Sequence, residues 1–529
     1  HSIGPLSMKR AAELELALAP RAEGVTLQRW LCGELRAAIL AGRLAPGCRL
    51  PSTRDFARQQ AISRGTVVAV YDQLIAEGYL SGATGSGTTV AAALPIAAAG
   101  TTQPRTSAAP GVARATAADR AGTDDAAAKR PRLSRQGQLL ASSPFLSREG
   151  MVLGRPFSPN QPDLGAFPHA LWQRLTHQQG RGLRPDDMGY GDGAGHLPLR
   201  RAIAEHLRYS QRIDCHAGQV MILSSAQQAL DLCARLLLDP GDAALVEDPG
   251  YPGAARLFEL GGARVQGVPV DRLGLCTDAL PTAADARLAY VTAAHQSPLG
   301  GTLPLERRLA LLAWAEAGRR IIIEDDYDGE YRFDGAPLPA LKSLDRRDRV
   351  IYLGTFSKLL FPALRLAYAV VPEWLAEPFA SAISLTVRHA PILPQAVLAA
   401  FIGEGHFARH LRQMRRLYGE RAACFQHECA TQLEGLLTVL PITTGLDATA
   451  LLPRGSDDRA VAAALGAWGV EARPISFYGM GQPAPPGLVM GFSACNEAAI
   501  RRGVATMAPV LESFNAAAAG NRGQAAAGV

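Results

Sequence analysis

The stretch Ile323-Glu324-Asp325-Asp326-Tyr327-Asp328 decides the fold class of this sequence, together with Gly354-Thr355-Phe356-Ser357-Lys358 about 30 residues later. Each stretch begins in or follows a short apolar run, and such runs predict buried strands. The polar and charged residues start where each strand is expected to end. Ligands bind at the carboxyl ends of strands in an open α/β sheet. We therefore expect carboxylate, phenol and amine groups to meet at one sheet edge.

Five runs of this kind alternate with longer stretches of helical periodicity. The runs are Val220 to Leu223, Ala243 to Val246, Leu288 to Thr292, Arg320 to Ile323 and Val350 to Leu353. Strands separated by helices predict a parallel sheet that is covered on both faces. The sequence thus predicts an α/β domain over residues 151–512, with a smaller α+β subdomain from about Pro394 to Val510.

The residue types at this predicted edge match the needs of pyridoxal phosphate chemistry. That cofactor requires a lysine amine, a carboxylate at the pyridinium nitrogen, a donor to the ring hydroxyl oxygen and a cradle for the phosphate. Lys358 can supply the amine, Asp325 the carboxylate and Tyr327 the donor. Further cofactor-binding candidates are Arg365 and Thr355, in the phosphate cradle, and Ser357. A lone lysine is usually a surface residue, but a spaced set of four roles favours a cofactor site.

Two upstream segments add candidates for the same site. Leu223 to Leu230 runs from a predicted strand into a helix, whose N-terminal amide groups can bind phosphate. The candidates there are Ser225, Ala226 and Gln227. Tyr251 follows another predicted strand, where its ring can stack on the pyridine, although such a tyrosine taken alone is more often a packing residue.

The N-terminal part has the pattern of a winged helix-turn-helix over residues 22–91. Leu27 to Ala41 has the apolar spacing of an amphipathic helix. Ser52-Thr53 can cap a short helix from Arg54 to Gln60, and Ser63 can cap a second helix that reaches about Glu77. Residues 78–90 then read as two short strands around a glycine-rich hairpin. Two helices joined by a short turn, followed by a wing, indicate a mainly α DNA-binding domain.

The second helix of a helix-turn-helix enters the major groove and presents its first turn to the DNA. In that turn Arg64 can reach a guanine edge, while Ser63 and Thr66 suit phosphate groups. Arg54 suits the DNA backbone, and Gly87 at the wing tip allows close approach to a minor groove. One exposed arginine alone is usually a solvated surface residue, so the prediction depends on the ordered set.

Composition and charge exclude several classes of protein. The 529 residues carry a formal net charge of +6. Residues 1–91 hold ten Lys and Arg against seven Asp and Glu, and residues 92–150 hold eight against four. This early excess favours a polyanionic partner for the N-terminal part. The eight cysteines show no C-x-x-C spacing, so neither a disulfide framework nor a metal site is expected.

The remaining stretches carry no sign of a membrane or secreted protein. We find no run of about 18 apolar residues and no signal segment, and we expect a cytoplasmic protein. Residues 92–150, rich in Ala, Thr, Pro, Ser and Arg, lack an apolar period and predict a flexible linker. Residues 513–529 are predicted to be a disordered tail.

The N-terminal motifs closely resemble the GntR family of winged-helix regulators. The resemblance is carried by Leu50 to Ala57, Ser63 to Val67 and Glu77 to Leu80, and it covers about 65 residues with almost no gaps. It implies that this domain binds a double-stranded DNA operator.

The C-terminal segments resemble fold-type I aminotransferases over some 350 residues, including Tyr190 to Gly195 and His295 to Gly300. The phrase His295-Gln296-x-Pro298-x-Gly300 looks like the MocR subfamily of GntR regulators, which joins a winged helix to an aminotransferase-like domain that binds pyridoxal phosphate. The resemblance implies a head-to-tail, domain-swapped homodimer in which Tyr190 contributes to the site of the other protomer.

Three positions depart from the pattern of these relatives. Ser297 stands where ordinary aminotransferases have an asparagine that supports the ring hydroxyl. Val489 aligns with the arginine that holds their substrate carboxylate, and an apolar side chain cannot pair a carboxylate. Gly253 replaces an arginine of the gamma-aminobutyrate-responsive members. Arg256 and Arg473 are the nearby candidates for an acidic ligand group, and sequence alone places neither in the pocket.

Three functions are consistent with these observations. The first is a regulator whose DNA affinity follows the state of the cofactor or of a small amine or amino-acid effector. In its simplest form pyridoxal phosphate itself is the signal, and added amino acids then leave the absorbance spectrum unchanged. The second is a working aminotransferase with a DNA-binding appendage. The third, a DNA-binding protein with a vestigial cofactor fold, is disfavoured because Lys358 is present.

Overall fold

The structure is a computed structural model that divides into two compact units, His1–Arg130 and Pro131–Val529. The ranges that it describes are 18–22, 24–83, 87–92, 132–143, 145, 155–281, 286–334 and 339–526, the last eleven residues as backbone only. Each unit is described here by itself.

The first unit is a winged helix-turn-helix, as the sequence predicts. Its elements are α1 (Leu27–Leu40), α2 (Thr53–Gln59), α3 (Arg64–Ala76), β1 (Leu80–Ala83) and β2 (Gly87–Val90). Ser52 and Ser63 cap α2 and α3 by accepting hydrogen bonds from backbone amides, which satisfies groups that the helix leaves unpaired. The strands β1 and β2 pair antiparallel.

A small apolar core holds the three helices of this unit together. Leu35 of α1, Phe56 of α2 and Leu74 of α3 are fully buried in one cluster. The hydroxyl of Tyr71 donates to the carbonyl oxygen of Pro51 at 3.2 Å, which ties α3 to the segment before α2. The two helices of the helix-turn-helix are therefore fixed relative to each other by packing and by one buried hydrogen bond.

The second unit contains most of the helices and strands. Its helices are α4 (Arg135–Ala141), α5 (His169–Gly182), α6 (Leu197–Ser210), α7 (Ala226–Leu237), α8 (Pro252–Leu260), α9 (Leu305–Ala317), α10 (Leu341–Leu344), α11 (Phe356–Leu359), α12 (Glu373–Val387), α13 (Ile392–Gly403), α14 (His406–Gln432), α15 (Asp458–Ala467) and α16 (Glu497–Ala526). Its strands are β3 (Val220–Leu223), β4 (Ala243–Asp248), β5 (Arg264–Asp271), β6 (Gly274–Leu275), β7 (Ala286–Val291), β8 (Ile321–Asp326), β9 (Val350–Thr355), β10 (Ala367–Val370), β11 (Thr438–Val439), β12 (Asp447–Leu451), β13 (Arg473–Pro474) and β14 (Gly487–Gly491).

Eight strands form the large sheet in the order β3-β10-β9-β8-β7-β4-β5-β6. Both faces are buried: Leu288 and Tyr290 of β7 belong to one apolar cluster, and the alternate residues Ala289 and Val291 belong to another. Strand side chains point to opposite faces in turn, so helices cover the sheet on both sides, as predicted.

The predicted parallel sheet is confirmed for β4, β5, β7, β8 and β9, but β10, β3 and β6 depart from it. Strand β10 pairs antiparallel with both β9 and β3, and β6 pairs antiparallel with β5. The segment between β9 and β10, residues 356–366, holds only the short helix α11 and a turn. Because a parallel return needs a crossover of about a dozen residues or more, this short connection favours an antiparallel return.

The smaller α+β subdomain follows the large sheet in the chain. Its four-stranded sheet has the order β11-β12-β14-β13, and every neighbouring pair is antiparallel. The helices α14 and α16 contribute Phe425 and Ile500 to the same apolar cluster as Met490 of β14. This packing fixes the position of β13 and β14, which the cavity described below depends on.

Two stretches predicted to lack structure contain helices. Within the predicted linker, α4 spans Arg135–Ala141, and its Gln136 side chain donates to the carbonyl oxygen of Leu260 at 3.2 Å. Within the predicted tail, α16 continues to Ala526. Alanine has the highest helix propensity. The alanine-rich composition that led us to predict disorder therefore also favours a helix, once packing has nucleated its first turn. In the described part of the chain, no helix is long and apolar enough to cross a membrane.

Candidate functional site

The carboxyl ends of β4, β8 and β9 and the N-terminus of α7 surround a cavity of about 300 Å³. Ten of the eleven predicted cofactor-binding residues line it. They are Ser225, Ala226, Gln227, Tyr251, Asp325, Tyr327, Thr355, Ser357, Lys358 and Arg365. The structure therefore brings together side chains from four separate segments, as expected for a binding site at the edge of an α/β sheet.

Lys358 lies on α11, directly after β9. Thr355 caps this helix, and its hydroxyl accepts a hydrogen bond from the backbone amide of Ser357 at 3.2 Å. The Lys358 amine donates to the carbonyl oxygen of Asn160 at 2.8 Å. Burial lowers the pKa of Lys358 below its ordinary value of 10.5, although the carboxylate of Asp447 opposes this. A larger fraction of the amine is therefore neutral and nucleophilic near pH 7 than in a free lysine.

Asp325 is the last residue but one of β8. One of its carboxylate oxygens has a hydrogen-bond partner, and the other has none among the described residues. Its Oδ2 accepts a hydrogen bond from the Tyr290 hydroxyl at 2.7 Å. Its Oδ1 is buried and has no hydrogen-bond partner among the described residues. Burial raises the pKa of Asp325 to about 6. A buried acceptor without a partner costs free energy, and a cationic N–H donor such as a pyridinium nitrogen would satisfy it.

The N-terminus of α7 faces the same cavity. The Ser225 hydroxyl caps this twelve-residue helix by accepting from the amide of Gln228 at 3.1 Å. Arg365, in a left-handed backbone conformation with φ of 51°, lines the cavity as well. Helix amides and an arginine together are a common binding site for phosphate.

Two of the aromatic residues that line the cavity stack on each other. Tyr251 precedes α8, and its ring stacks against Phe145 with centroids 5.8 Å apart and planes inclined by 28°. The sequence analysis missed Phe145 because it lies in the segment predicted to be a flexible linker. The sequence feature that could have indicated its packing role is a single phenylalanine in a polar, alanine-rich stretch.

A second group of polar residues packs against the residues that line the cavity. His295 contacts Asp328 through Nδ1 at 2.9 Å, and its ring stacks on Tyr327 with centroids 5.7 Å apart. Burial alone would lower the pKa of His295, but the adjacent Asp328 carboxylate outweighs it and raises the pKa. The Tyr327 ring is thus held in place by the hydrogen-bonded pair of His295 and Asp328, and sequence reasoning did not identify Asp328.

The positions that depart from the related enzymes fall in different places. Ser297 and Arg473 line the cavity. Val489 is buried in an apolar cluster. A side-chain atom at Gly253 would lie 2.5 Å from the Tyr251 ring, so any larger residue there requires the ring to move. Arg256 is not among the described lining residues, and it pairs with Glu259 at 2.8 Å.

Tyr190 is the predicted cofactor-binding residue that does not line the cavity of its own chain. Its side chain is 86% exposed. The guanidinium of Arg388 lies 5.4 Å from its ring centroid, and His389 packs against its edge. The ring is therefore presented at the surface of the second unit.

The predicted DNA-binding residues lie on the surface of the first unit. Arg54, Ser63 and Arg64 are exposed, and Thr66 is half-buried. The Ser63 hydroxyl accepts from the Thr66 amide at 3.1 Å and lies 2.8 Å from the Thr66 hydroxyl, so both have a capping role as well.

Gly87, the glycine predicted to approach DNA at the wing tip, lies in the described part of the chain. Gly87 has a φ of 85°, and a Cβ there would lie 2.8 Å from the Arg49 guanidinium. Arg49, which the sequence analysis did not single out, forms a bridge with Thr89 of β2. The rest of the predicted wing tip, residues 84–86, lies outside the described residues. No group of three or more potential metal ligands occurs among the residues that the structure describes.

Two protein families match the chain, one for each unit. Residues 28–90 match the bacterial regulatory proteins of the gntR family, and residues 156–505 match aminotransferase class I and II. The two matches coincide with the helix-turn-helix unit and with the unit that holds the cavity.

Similar proteins share this combination over nearly the whole chain. The probable rhizopine catabolism regulatory protein MocR of Rhizobium meliloti is 39% identical over 91% of this chain and 92% of its own length. The pyridoxine biosynthesis transcriptional regulator PdxR of Corynebacterium glutamicum is 33% identical over 93% of this chain and 97% of its own.

A solved structure resembles the second unit. The alpha-aminoadipate aminotransferase of Thermus thermophilus, complexed with N-(5'-phosphopyridoxyl)-L-leucine, is 28% identical and superimposes with a TM-score of 0.63. The match covers 68% of this chain and 93% of that enzyme. Together with the family matches over both units, these similarities show that the chain belongs to the MocR subfamily of the GntR family of bacterial regulatory proteins.

Proposed function

We propose that this protein is a transcriptional regulator that binds pyridoxal phosphate in the cavity of its second unit and an operator DNA through its first. The observation that carries the proposal is that one cavity holds both a lysine amine, Lys358, and a buried carboxylate oxygen of Asp325 that has no partner among the described residues. The similarity to PdxR, a regulator of pyridoxine biosynthesis, supports the same conclusion.

Each end of the cofactor has residues suited to it. The amides at the start of α7, with Ser225 and Arg365, would bind the phosphate, and Asp325 would accept from the ring nitrogen. Tyr327 would donate to the ring oxygen, and Tyr251 would lie against the ring. When bound, the cofactor supplies an aldehyde that bonds reversibly with primary amines. Lys358 would provide the protein's own amine for that bond.

Regulation requires that ligand and DNA prefer the same or opposite states of the protein. The stacking of Phe145 on Tyr251 supports such a link, because Phe145 lies close in sequence to the segment that joins the units. A ligand that changes the position of the Tyr251 ring would change this contact. The signal is then pyridoxal phosphate or an amine that reacts with it.

We further propose a head-to-tail homodimer in which Tyr190 reaches the cavity of the other protomer. The exposure of this ring, which is 86% in the single chain, supports that role. An exposed aromatic side chain of this size is often part of an interface. DNA reading would then follow the two-fold symmetry of the dimer.

A second candidate function is slow transamination. Retention of Lys358 and of the Asp325 carboxylate favours it, since both act in the related enzymes' chemistry. Ser297 in place of asparagine, and Val489 in place of arginine, argue that such a reaction is inefficient.

The lysine assignment predicts a specific loss in Lys358→Ala. Wild-type protein mixed with pyridoxal phosphate is expected to show a visible absorbance band, and borohydride reduction is expected to remove the band and leave the cofactor covalently attached. The variant is expected to show no covalent attachment. The chain has four lysines, Lys9, Lys129, Lys342 and Lys358, so peptide mass mapping assigns the attachment directly. Lys342→Arg, a buried lysine outside the cavity, is the matched control and should retain the band. Attachment elsewhere would contradict the assignment.

The electrostatics of Lys358 predict a pH dependence of cofactor capture. The rate should rise with pH as the amine loses its proton, with a midpoint below 10.5 because burial lowers the pKa of Lys358. Asp447 has a pKa of about 6, mainly through burial, and its negative charge above that pH opposes the lowering. Asp447→Asn should therefore move the midpoint to lower pH.

Stopped-flow absorbance across a pH series measures this midpoint. Asp214→Asn, at a side chain that is 94% exposed, is the control and should leave the midpoint in place. A midpoint that moves upward in Asp447→Asn would show that the assigned sign is wrong.

The recognition-helix assignment predicts that Arg64→Ala weakens operator binding more than binding to unrelated DNA. Loss of one base-edge contact costs about 1–3 kcal/mol, or roughly 5- to 150-fold in affinity. Fluorescence anisotropy at fixed salt, with an operator selected from random sequences, measures both affinities. Arg29→Ala on α1 removes the same charge and should change the two affinities equally. Equal loss in Arg64→Ala would instead indicate a phosphate contact.

The regulator assignment predicts weak transamination. With an amino donor and a keto acid in excess, sustained turnover should stay below about 1 s⁻¹, the low end of ordinary enzymes. Coupled detection of the new keto acid measures it, with Lys358→Ala as the blank. Turnover well above that rate would favour the second candidate function.

A further inference from the structure

One region of the cavity is not used by the residues that would hold the cofactor. Arg473 of β13 lines the cavity there together with Phe477 and Tyr478. The Arg473 guanidinium carbon lies 5.1 Å from the centroid of the Phe477 ring. Burial raises the pKa of Tyr478 to about 12, and the nearby charge of Arg473 opposes that rise. A guanidinium with an aromatic wall therefore faces the space beside Lys358.

The charge of Arg473 is not balanced by an adjacent carboxylate. None lies within ion-pair distance of it among the described residues, and its neighbours are the Phe477 ring and the Tyr478 side chain. Among the described residues that line the cavity, Asp325 is the one carboxylate, whereas three are cationic. A bound phosphate would offset Arg365. A second anionic group beside Arg473 would offset its charge, which is favourable because unpaired charges in a partly desolvated site are costly.

The sheet register relates Arg473 to the position where ordinary aminotransferases hold their substrate carboxylate. That position is Val489 on β14, and Arg473 is its direct cross-strand neighbour in the antiparallel pair. Residues directly opposite each other in such a pair point to the same face of the sheet. The arginine thus comes from the adjacent strand, on the same face and at the same level along the sheet.

The other arginine that the sequence left open is placed elsewhere. Arg256 on α8 forms an ion pair with Glu259, and half of its side chain is exposed. At Gly253, a side chain would collide with the Tyr251 ring. Of the positions considered for an acidic ligand group, Arg473 is the one that the structure brings into the cavity.

We propose that Arg473 is the anion-binding residue of this pocket and that the effector is a small primary amine carrying a carboxylate. This rests on the proposed function, because the amine is recognised through the bound cofactor. The planar guanidinium fork matches a carboxylate in two parallel hydrogen bonds. On this proposal an amino acid perturbs the cofactor spectrum, in contrast to a regulator that senses pyridoxal phosphate alone.

The experiment titrates cofactor-loaded, full-length protein with matched amines and follows the visible absorbance. Alanine and β-alanine are each compared with ethylamine, and 4-aminobutanoate with n-propylamine, so that each pair differs by one carboxylate. In wild type, at least one acid is expected to bind roughly 10- to 150-fold more tightly than its matched amine, the range for a charge-assisted hydrogen bond. No such difference in any pair would overturn the proposal.

Variants then assign the difference to Arg473. Arg473→Ala should lower the affinity of the acid to that of its matched amine and leave the amine unchanged, while Arg473→Lys should retain part of the difference. Arg256→Ala removes an arginine outside the cavity and should keep it in full. Equal losses for acid and amine in Arg473→Ala would show a merely structural role and overturn the proposal.

The cross-strand register allows a rescue test. Adding Val489→Arg to Arg473→Ala returns a guanidinium to the same face of the sheet and is expected to recover part of the preference for the acid. Isothermal titration of the loaded protein with propanoate, which has no amine, gives a readout independent of the absorbance, and binding there should also require Arg473. The proposed function is judged separately. The absence of a cofactor band, with no covalent attachment after borohydride reduction, contradicts cofactor binding, whereas a normal band without acid preference contradicts only the role of Arg473.

Discussion

The site depends on one constraint: the carboxylate of Asp325 is buried, and one of its oxygens has no hydrogen-bond partner among the described residues. Several acids are buried at this edge of the sheet, and for three of them burial raises the pKa strongly, to about 7 for Glu247, about 6 for Asp325 and about 7 for Asp326. Glu247 is satisfied by Thr292 and Gln296, and Asp326 by Tyr352 and the amide of Gly329. Asp325 alone among the three keeps an oxygen without a partner in the described part of the chain. The fold thus provides hydrogen-bond partners for two neighbouring acids and leaves an oxygen of the third open toward a cavity. This arrangement suits a cationic donor from a ligand.

The strands explain why the sequence revealed so much of this site. Asp325 and Lys358 each lie within a few residues of a strand end, and parallel neighbours such as β8 and β9 bring such ends together. The caps at Ser52 and Ser63 could be predicted as well, because each needs only a hydroxyl and the helix that follows it. These features depend on local sequence and on one rule of sheet geometry, and they could be predicted.

The features that escaped prediction depend on tertiary placement. The choice between Arg256 and Arg473 required the register of β13 against β14, which no local pattern encodes. Phe145 could not be assigned because its partner, Tyr251, is about a hundred residues away in the chain. The antiparallel direction of β10 depends on the short connection that holds α11, and the sequence analysis predicted neither this helix nor β10. In each case the missing information was which distant segment supplies the neighbour.

The contact between Phe145 and Tyr251 also sets a scale for communication between the units. An aromatic pair of this kind contributes about 0.5–1.5 kcal/mol beyond its buried area, whereas allosteric coupling between two sites is typically about 1–3 kcal/mol. Complete loss of this one stacking contact would therefore supply an energy below, or at the lower end of, the typical coupling range. In the proposed two-fold symmetric dimer the same contact would occur twice, and the two together would span that range. The arithmetic therefore agrees with the proposed homodimer, in which both cavities would respond to ligand together.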